Sequence, residues 1–334
     1  MKNEAGKPIW WSMPWLFDIV VKSSKRIDRF DYRRPVTLMS ELEGDLNRTF
    51  EEHFARDTNT SHLGGLRAFC SHVDLSEVKS NLEDCARAQK RLAAADSRYS
   101  LILKLIRSAD TQVPFVSYFA MQPYLDPTFL RRLCEPIDLL QQAETETGEV
   151  RARALVRSVR EIAEMLYDPY LRMLWNLSCF ATGDRRQEPR DFGDLVKGLS
   201  KRLAEYPGLV EKDAGWIRNA TAHAQWCYIP SREKLKMWDR SHSVEEIAID
   251  DLSAMANGMF SIAGPTAFAL VGLYVFRDIC LNTGLLDLAI EVLPEIFSED
   301  QRRRTRAEKV FHEKEKAVFG PLQAFLQSMP RIPK

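Results

Sequence analysis

Apolar residues three and four apart recur along most of this chain, and that period limits the folds open to it more than any other feature. Leu38, Leu42, Leu46 and Phe50 mark one stripe, and Tyr99, Leu103 and Ile106 mark another. A longer one runs Val150, Ala154, Leu155, Val159, Ile162, Leu166. Each stripe lies on one face of a helix and has to be buried, most simply against other helices. With only 15 Gly and 16 Pro in 334 residues, little interrupts the helices. The pattern predicts an all-α protein long enough for two or three domains and a sizeable core. The polar run Glu144-Thr145-Glu146-Thr147-Gly148-Glu149 reads as a linker. It divides a helical N-terminal domain (1–143) from an up-and-down helical bundle (149–285), which is followed by a basic helical extension (286–334).

Along the chain, Trp10 to Val21 is apolar and follows two lysines, but Pro14 and Asp18 interrupt it and no small-residue cleavage site follows. It reads as a segment docking its tryptophans on the body rather than a signal peptide. His53, His62 and His72 stand nine and ten apart, which is not a metal-ligand spacing, and read as surface or locally bonded histidines. Leu75 to Arg107 predicts one or two helices, capped by Asp74 or Ser76. Val113 to Pro127 is aromatic and proline-interrupted; without interleaved basic residues it reads as a packed connection rather than a base-stacking surface. Helix resumes over Thr128 to Gln142. Asp168-Pro169 predicts an N-cap with proline at the first helical position, opening a helix over Tyr170 to Phe180.

Further on, helices are expected over Phe192 to Tyr206, ended by Pro207-Gly208, and over Leu209 to Ala224. Trp226-Cys227-Tyr228-Ile229 and Leu235-Lys236-Met237-Trp238 flank Pro230 to Glu233 and predict a short β-hairpin. Ile249 to Phe276, capped by Asp250, is the last core helix. Its stretch Met259 to Phe276 carries no charge for eighteen residues, the lower bound for a membrane span. Ser261, Gly264, Pro265, Thr266 and Gly272 favour a buried helix kinked at Pro265 and no membrane association. The charged run Gln301 to Lys316 reads as a solvated helix face, with RNA contact as the alternative.

Lys+Arg and Asp+Glu are both 47, so there is no global attraction to nucleic acid. RNA binding would require local basic patches. The loop Gly183 to Arg190, with Arg185, Arg186 and Arg190, is the candidate. The cysteines at 70, 85, 134, 179, 227 and 280 are scattered, which fits a reducing cytoplasm and argues against a zinc site or disulfide framework. No metal or other cofactor is expected.

Chemistry concentrates at Trp216-Ile217-Arg218-Asn219-Ala220-Thr221-Ala222-His223. Helical geometry places Asn219 and His223 on nearly one face. Arg218 lies roughly 140° round the axis from His223, at about 100° per residue, so only its long side chain brings the guanidinium round. Ala220, Ala222 and Ala224 leave room for a partner backbone. Arginine binds phosphoryl oxygens with a planar fork, and imidazole moves protons near neutral pH. The spacing alone carries nothing, because Arg48/His53, Arg56/His62, Arg67/His72 and Arg306/His312 share it. The context of Arg218 and His223 is different: an asparagine directly after the arginine, small residues between, a helical lead-in and a hairpin directly after.

In that context Arg218-Asn219-Ala220-Thr221-Ala222-His223 resembles the signature of the HEPN superfamily: arginine, a polar residue, three to five more, then histidine. The resemblance extends upstream through Phe192-Gly193-Asp194-Leu195-Val196-Lys197-Gly198-Leu199 and downstream through Trp226-Cys227-Tyr228-Ile229, covering roughly residues 149–285. It implies a metal-independent endoribonuclease with Arg218, Asn219 and His223 as catalytic residues. It also implies a homodimer that brings two copies of the motif into one cleft, since one histidine is few for both acid and base. Members often act as toxins or antiviral-defence effectors on tRNA, rRNA or mRNA, so a cognate inhibitor or sensor is a further expected partner. The alternatives are a non-catalytic HEPN-like dimer that binds a nucleotide or a partner protein, and a membrane-associated effector acting through Met259 to Phe276.

Overall fold

The structure, a computed structural model, describes residues 77–112, 116–117, 135–184, 187–240, 242–264, 267, 270, 274, 292–296 and 298–328. Helix accounts for 74% of that, beside one three-stranded sheet. The mostly-α class follows the apolar period. In chain order the helices are α1 (Val78–Ala95), α2 (Ser97–Gln112), α3 (Glu135–Thr145), α4 (Gly148–Ile162) and α5 (Asp168–Thr182). Then come α6 (Phe192–Arg202) and α7 (Ala214–Ala222), followed by strands β1 (Trp226–Ile229), β2 (Lys234–Met237) and β3 (Glu245–Ala248). The chain continues with α8 (Ile249–Ala263), α9 (Leu293–Ile296) and α10 (Gln301–Ser328). Trp10 to Val21, the stripe from Leu38 to Phe50, His53, His62, His72, Asp74 and Ser76 lie outside the described residues.

The described residues fall into two compact units, one within Arg48–Lys90 and Gly272–Lys334, the other within Arg91–Val271. In the first, α9 packs on α10. The second holds α2 to α8 and the sheet. The polar run 144–149 lies within this second unit: it ends α3, turns at Glu146 and Thr147 and begins α4. Gly148 turns there with φ 57°, α3 packs back on α4, and α2 packs along α5. The stripe Tyr99, Leu103, Ile106 on α2 is buried, as are Ala154, Leu155, Val159, Ile162 and Leu166. At one end of α2, Arg98 bonds Asp96 and donates to the Gly258 carbonyl (3.3 Å) and the Ser261 hydroxyl (2.9 Å) of α8. The Tyr99 hydroxyl donates to the Ser261 carbonyl at 2.6 Å.

Asp168-Pro169 does not open a new helix. Helix runs without a break from α4 through a π-helical turn, Ala163–Tyr167, into α5. Proline has no N–H to give to the turn before it, and the wider register of the π turn accommodates that loss. Two tyrosines bond from here to the 209–211 segment, Tyr167 at the end of the turn and Tyr170 in the first turn of α5. Tyr170 donates to the Leu209 carbonyl (3.2 Å), and the Glu211 N–H donates to the Tyr167 hydroxyl (2.6 Å). Burial pushes the Tyr167 phenol above its ordinary value. These bonds commit the backbone around 209–211 to tertiary partners, which is why α7 begins at Ala214 and not at Leu209.

Asp191 caps α6, accepting from the Gly193 and Asp194 amides at 2.8 and 3.2 Å. Where α6 meets α7, Gly215 faces Gly193: a Cβ on Gly215 would stand 3.4 Å from the Gly193 Cα, an ordinary contact distance. The predicted hairpin is present, with Trp226 opposite Met237 and Ile229 opposite Lys234. A third strand, not foreseen, pairs Leu235 with Ile247. Leu235 and Met237 point into the core, while Lys234 and Lys236 face outward. The last core helix, expected over Ile249 to Phe276, is continuous from Ile249 to Ala263; it starts after Ala248 without a side-chain cap, with Asp250 in its first turn. Gly264 is extended (ψ −161°), as befits a residue before proline. Beyond Gly264, Ala267, Leu270 and Tyr274 are helical, and the other residues up to Phe276, Pro265 among them, lie outside the described residues. Among the described residues, no helix is long and apolar enough to cross a membrane.

Candidate functional site

The motif helix α7 packs against α6 and α4. Trp216, Ile217, Ala220 and Thr221 form its buried face. Ala220 is therefore committed to the chain's own core and leaves no room for a partner; only the half-buried Ala222 and the exposed Ala224 remain open. Arg218 and Asn219 are half-buried, and His223 is the exposed C-cap. The His223 N–H closes the last helical bond, to the Asn219 carbonyl at 3.0 Å, so the imidazole sits one turn beyond the amide. Ala224 then reverses the chain in the left-handed region, at φ 53°.

Arg218 is held on three sides. Its Nη2 is 3.2 Å from Glu164 Oε1, a carboxylate that the π turn of the long helix presents. Its Nη1 donates to Asn219 Oδ1 at 3.3 Å, and its Cζ stands 5.9 Å from the centre of the Phe192 ring. Its Nε is buried and makes no hydrogen bond. Arg160 reaches the same Glu164 oxygen at 3.8 Å. Asn219 Nδ2 makes a long contact of 3.5 Å to Asp239 Oδ2.

Asp239 belongs to the segment after β2, which runs back along α7. The Trp238 N–H donates to the Gln225 carbonyl (3.0 Å), Asp239 reaches Asn219, and His242 stacks flat on Trp216. The two rings are 4.2 Å apart and 6° from parallel. Sequence reasoning missed Glu164, Asp239 and His242. All three enter through tertiary contacts, and the one local signal was the aromatic Trp216 at the head of the motif.

Of the basic loop, Arg185 and Arg186 lie outside the described residues. Arg190 is exposed, two residues before the Phe192 that underlies Arg218. The rest of that loop is held by acid–base pairs: Arg172 with Asp168 and Glu188, and Arg202 with Asp184. Among the described residues, no group of three or more His, Cys, Asp or Glu is placed to hold a metal ion. Chemically, the motif presents a guanidinium, an amide and an imidazole in sequence along one helix end, with two carboxylates behind them. No family model, curated protein or solved structure matches this chain.

Proposed function

We propose that this chain is a metal-independent endoribonuclease of the HEPN type, a cytoplasmic toxin or antiviral-defence effector that cuts tRNA, rRNA or mRNA as a homodimer. The observation that carries the reading is the end of α7. There a half-buried Arg218 and Asn219 lie side by side, and an exposed His223 follows one turn later. The imidazole of His223 takes the proton of a ribose 2′-hydroxyl, and the 2′-oxygen attacks phosphorus. Arg218 and Asn219 bind the phosphoryl oxygens as charge builds on them. The P–O5′ bond breaks, and a second copy of His223, brought by the dimer, protonates the leaving 5′-oxygen. The products are a 2′,3′-cyclic phosphate and a free 5′-hydroxyl.

The test is incubation of purified protein with RNA in EDTA, together with end-mapping of RNA from expressing cells. Cyclic or opened 3′-phosphate ends and 5′-hydroxyls are expected. His223→Ala should lose roughly 10²–10⁴-fold in rate and Arg218→Ala about 10²–10³-fold. Arg218→Lys should not recover fully, because a point charge cannot reproduce a two-pronged contact. Five-prime phosphates, or a fully active His223→Ala protein, reject the mechanism.

One observation favours a second reading, a non-catalytic HEPN-like dimer that binds a nucleotide or a partner protein. Glu164 already occupies a prong of Arg218, and Asp239 lies at Asn219. RNA that binds and stays intact would select that reading.

A further inference from the structure

We propose that the Trp216–His242 stack is a nucleobase subsite beside the motif, receiving an unpaired base of single-stranded RNA on the open face of the His242 ring; its choice of ligand rests on the ribonuclease reading. Trp216, Asn219 and His223 stand at positions i, i+3 and i+7 of α7. Seven residues at about 100° each bring Trp216 to within roughly 20° of His223 around the axis, about 10 Å away along it. A strand of RNA whose phosphate lies at Arg218 and His223 therefore meets the stack within a nucleotide or two.

The stack is held in place independently of any ligand. The indole is nearly buried, at 9% exposed, and its Nε1 donates to Asp213 Oδ1 at 3.3 Å. His242 lies against the indole's face and is fixed edge-on by Glu245 Oε2, 3.0 Å from Nε2. With one face and one edge engaged, 36% of the His242 side chain is still open to solvent. Flat rings fixed beneath an exposed face are what an unpaired base stacks on, and histidine serves in this role alongside Phe, Tyr and Trp. Stacking tolerates any base, and the larger ring of a purine gains most from it.

The experiment uses the full chain with His223→Ala, which binds without cutting, and short single-stranded oligoadenylate and oligouridylate as probes, with affinity read by fluorescence anisotropy. A stacked base is worth about 1–3 kcal/mol by alanine substitution. His242→Ala should therefore weaken oligoadenylate binding roughly 5- to 150-fold, and oligouridylate binding less. His242→Phe, which keeps a flat ring on the indole, should bind close to the parent. The salt dependence of binding should not change in either variant, whereas Arg218→Ala should lower the slope by about one.

An affinity unaffected by His242→Ala overturns the subsite. So does an equal loss in the Ala and Phe variants, which would show that the ring only packs against Trp216. If the wild-type chain fails to cut RNA while RNA is bound through His242, the nuclease reading fails alone. If it cuts but binding ignores His242, the subsite fails alone. If RNA is neither bound nor cut, both fall.

Discussion

Among the described residues, Glu164 is the carboxylate paired with Arg218. Its carboxylate is 3.2 Å from the guanidinium, and both side chains are about one-third exposed, so the pair is worth little to stability, about 0–1 kcal/mol. Its larger effect is on direction. In the catalytic reading it aims the free prong of Arg218 at substrate, and Glu164→Gln should lower kcat about tenfold while KM changes little. In the binding reading it restrains Arg218, and the same change should tighten nucleotide binding; kinetics and titration on one variant separate the two.

Asp96 allows a test of stability. Burial pulls its carboxyl up, but the hydrogen bonds and charge of Arg98 outweigh that and hold it below its ordinary 3.8. Folding thus favours the ionised form. The contribution is complete above the ordinary value and is lost as pH falls through the lower folded one. Asp96→Asn keeps an acceptor for the Arg98 N–H, now 2.9 Å from Oδ1. It should flatten the acid limb of stability below about pH 4 by no more than about 1 kcal/mol, as read from urea titrations at stepped pH. Arg218, Asn219 and His223 were legible in the sequence because a motif is a local pattern. Glu164, Asp239 and His242 were not, because their approach to α7 depends on how remote segments fold back.

At the scale of elements, the same division holds. The stripes on α2 and α4 and the hairpin β1–β2 were readable because their periods are local. β3 was not, since Glu245-Glu246-Ile247-Ala248 has little strand character and becomes a strand by pairing with β2. The continuity of α4 and α5 past Pro169 was hidden for the opposite reason. The local proline signal is strong, and a π turn overrides it. The end of α8 is set by Gly264, where a Cβ would fall 2.5 Å from the Phe260 carbonyl oxygen. That oxygen is fixed by accepting the Gly264 N–H at 2.8 Å. Gly264→Ala should therefore force the helix end to shift and destabilise by about 1–3 kcal/mol, measured by urea unfolding. An unchanged midpoint would mean that the turn yields freely.

For the whole molecule, the question is how many chains complete one site. Cleavage through the 2′-oxygen needs a proton removed and a proton supplied, and the motif holds one imidazole. Ala220 is buried in its own chain, so a second copy can approach only through the end of α7 at Ala222, His223 and Ala224. A stable interface buries on the order of 1,000 Å² or more, far more than one helix end, so neighbouring surface, such as the outer face of the hairpin, must join it. We expect a dimer at micromolar concentration by sedimentation equilibrium, with specific activity falling on dilution through its dissociation constant. Adding excess His223→Ala subunits should poison wild-type activity by drawing active chains into mixed dimers. A fully active monomer, indifferent to the added subunits, would mean that one chain supplies both proton transfers. His242, stacked on Trp216 of the same helix, is the other described imidazole of that unit and would then be the candidate to supply the second.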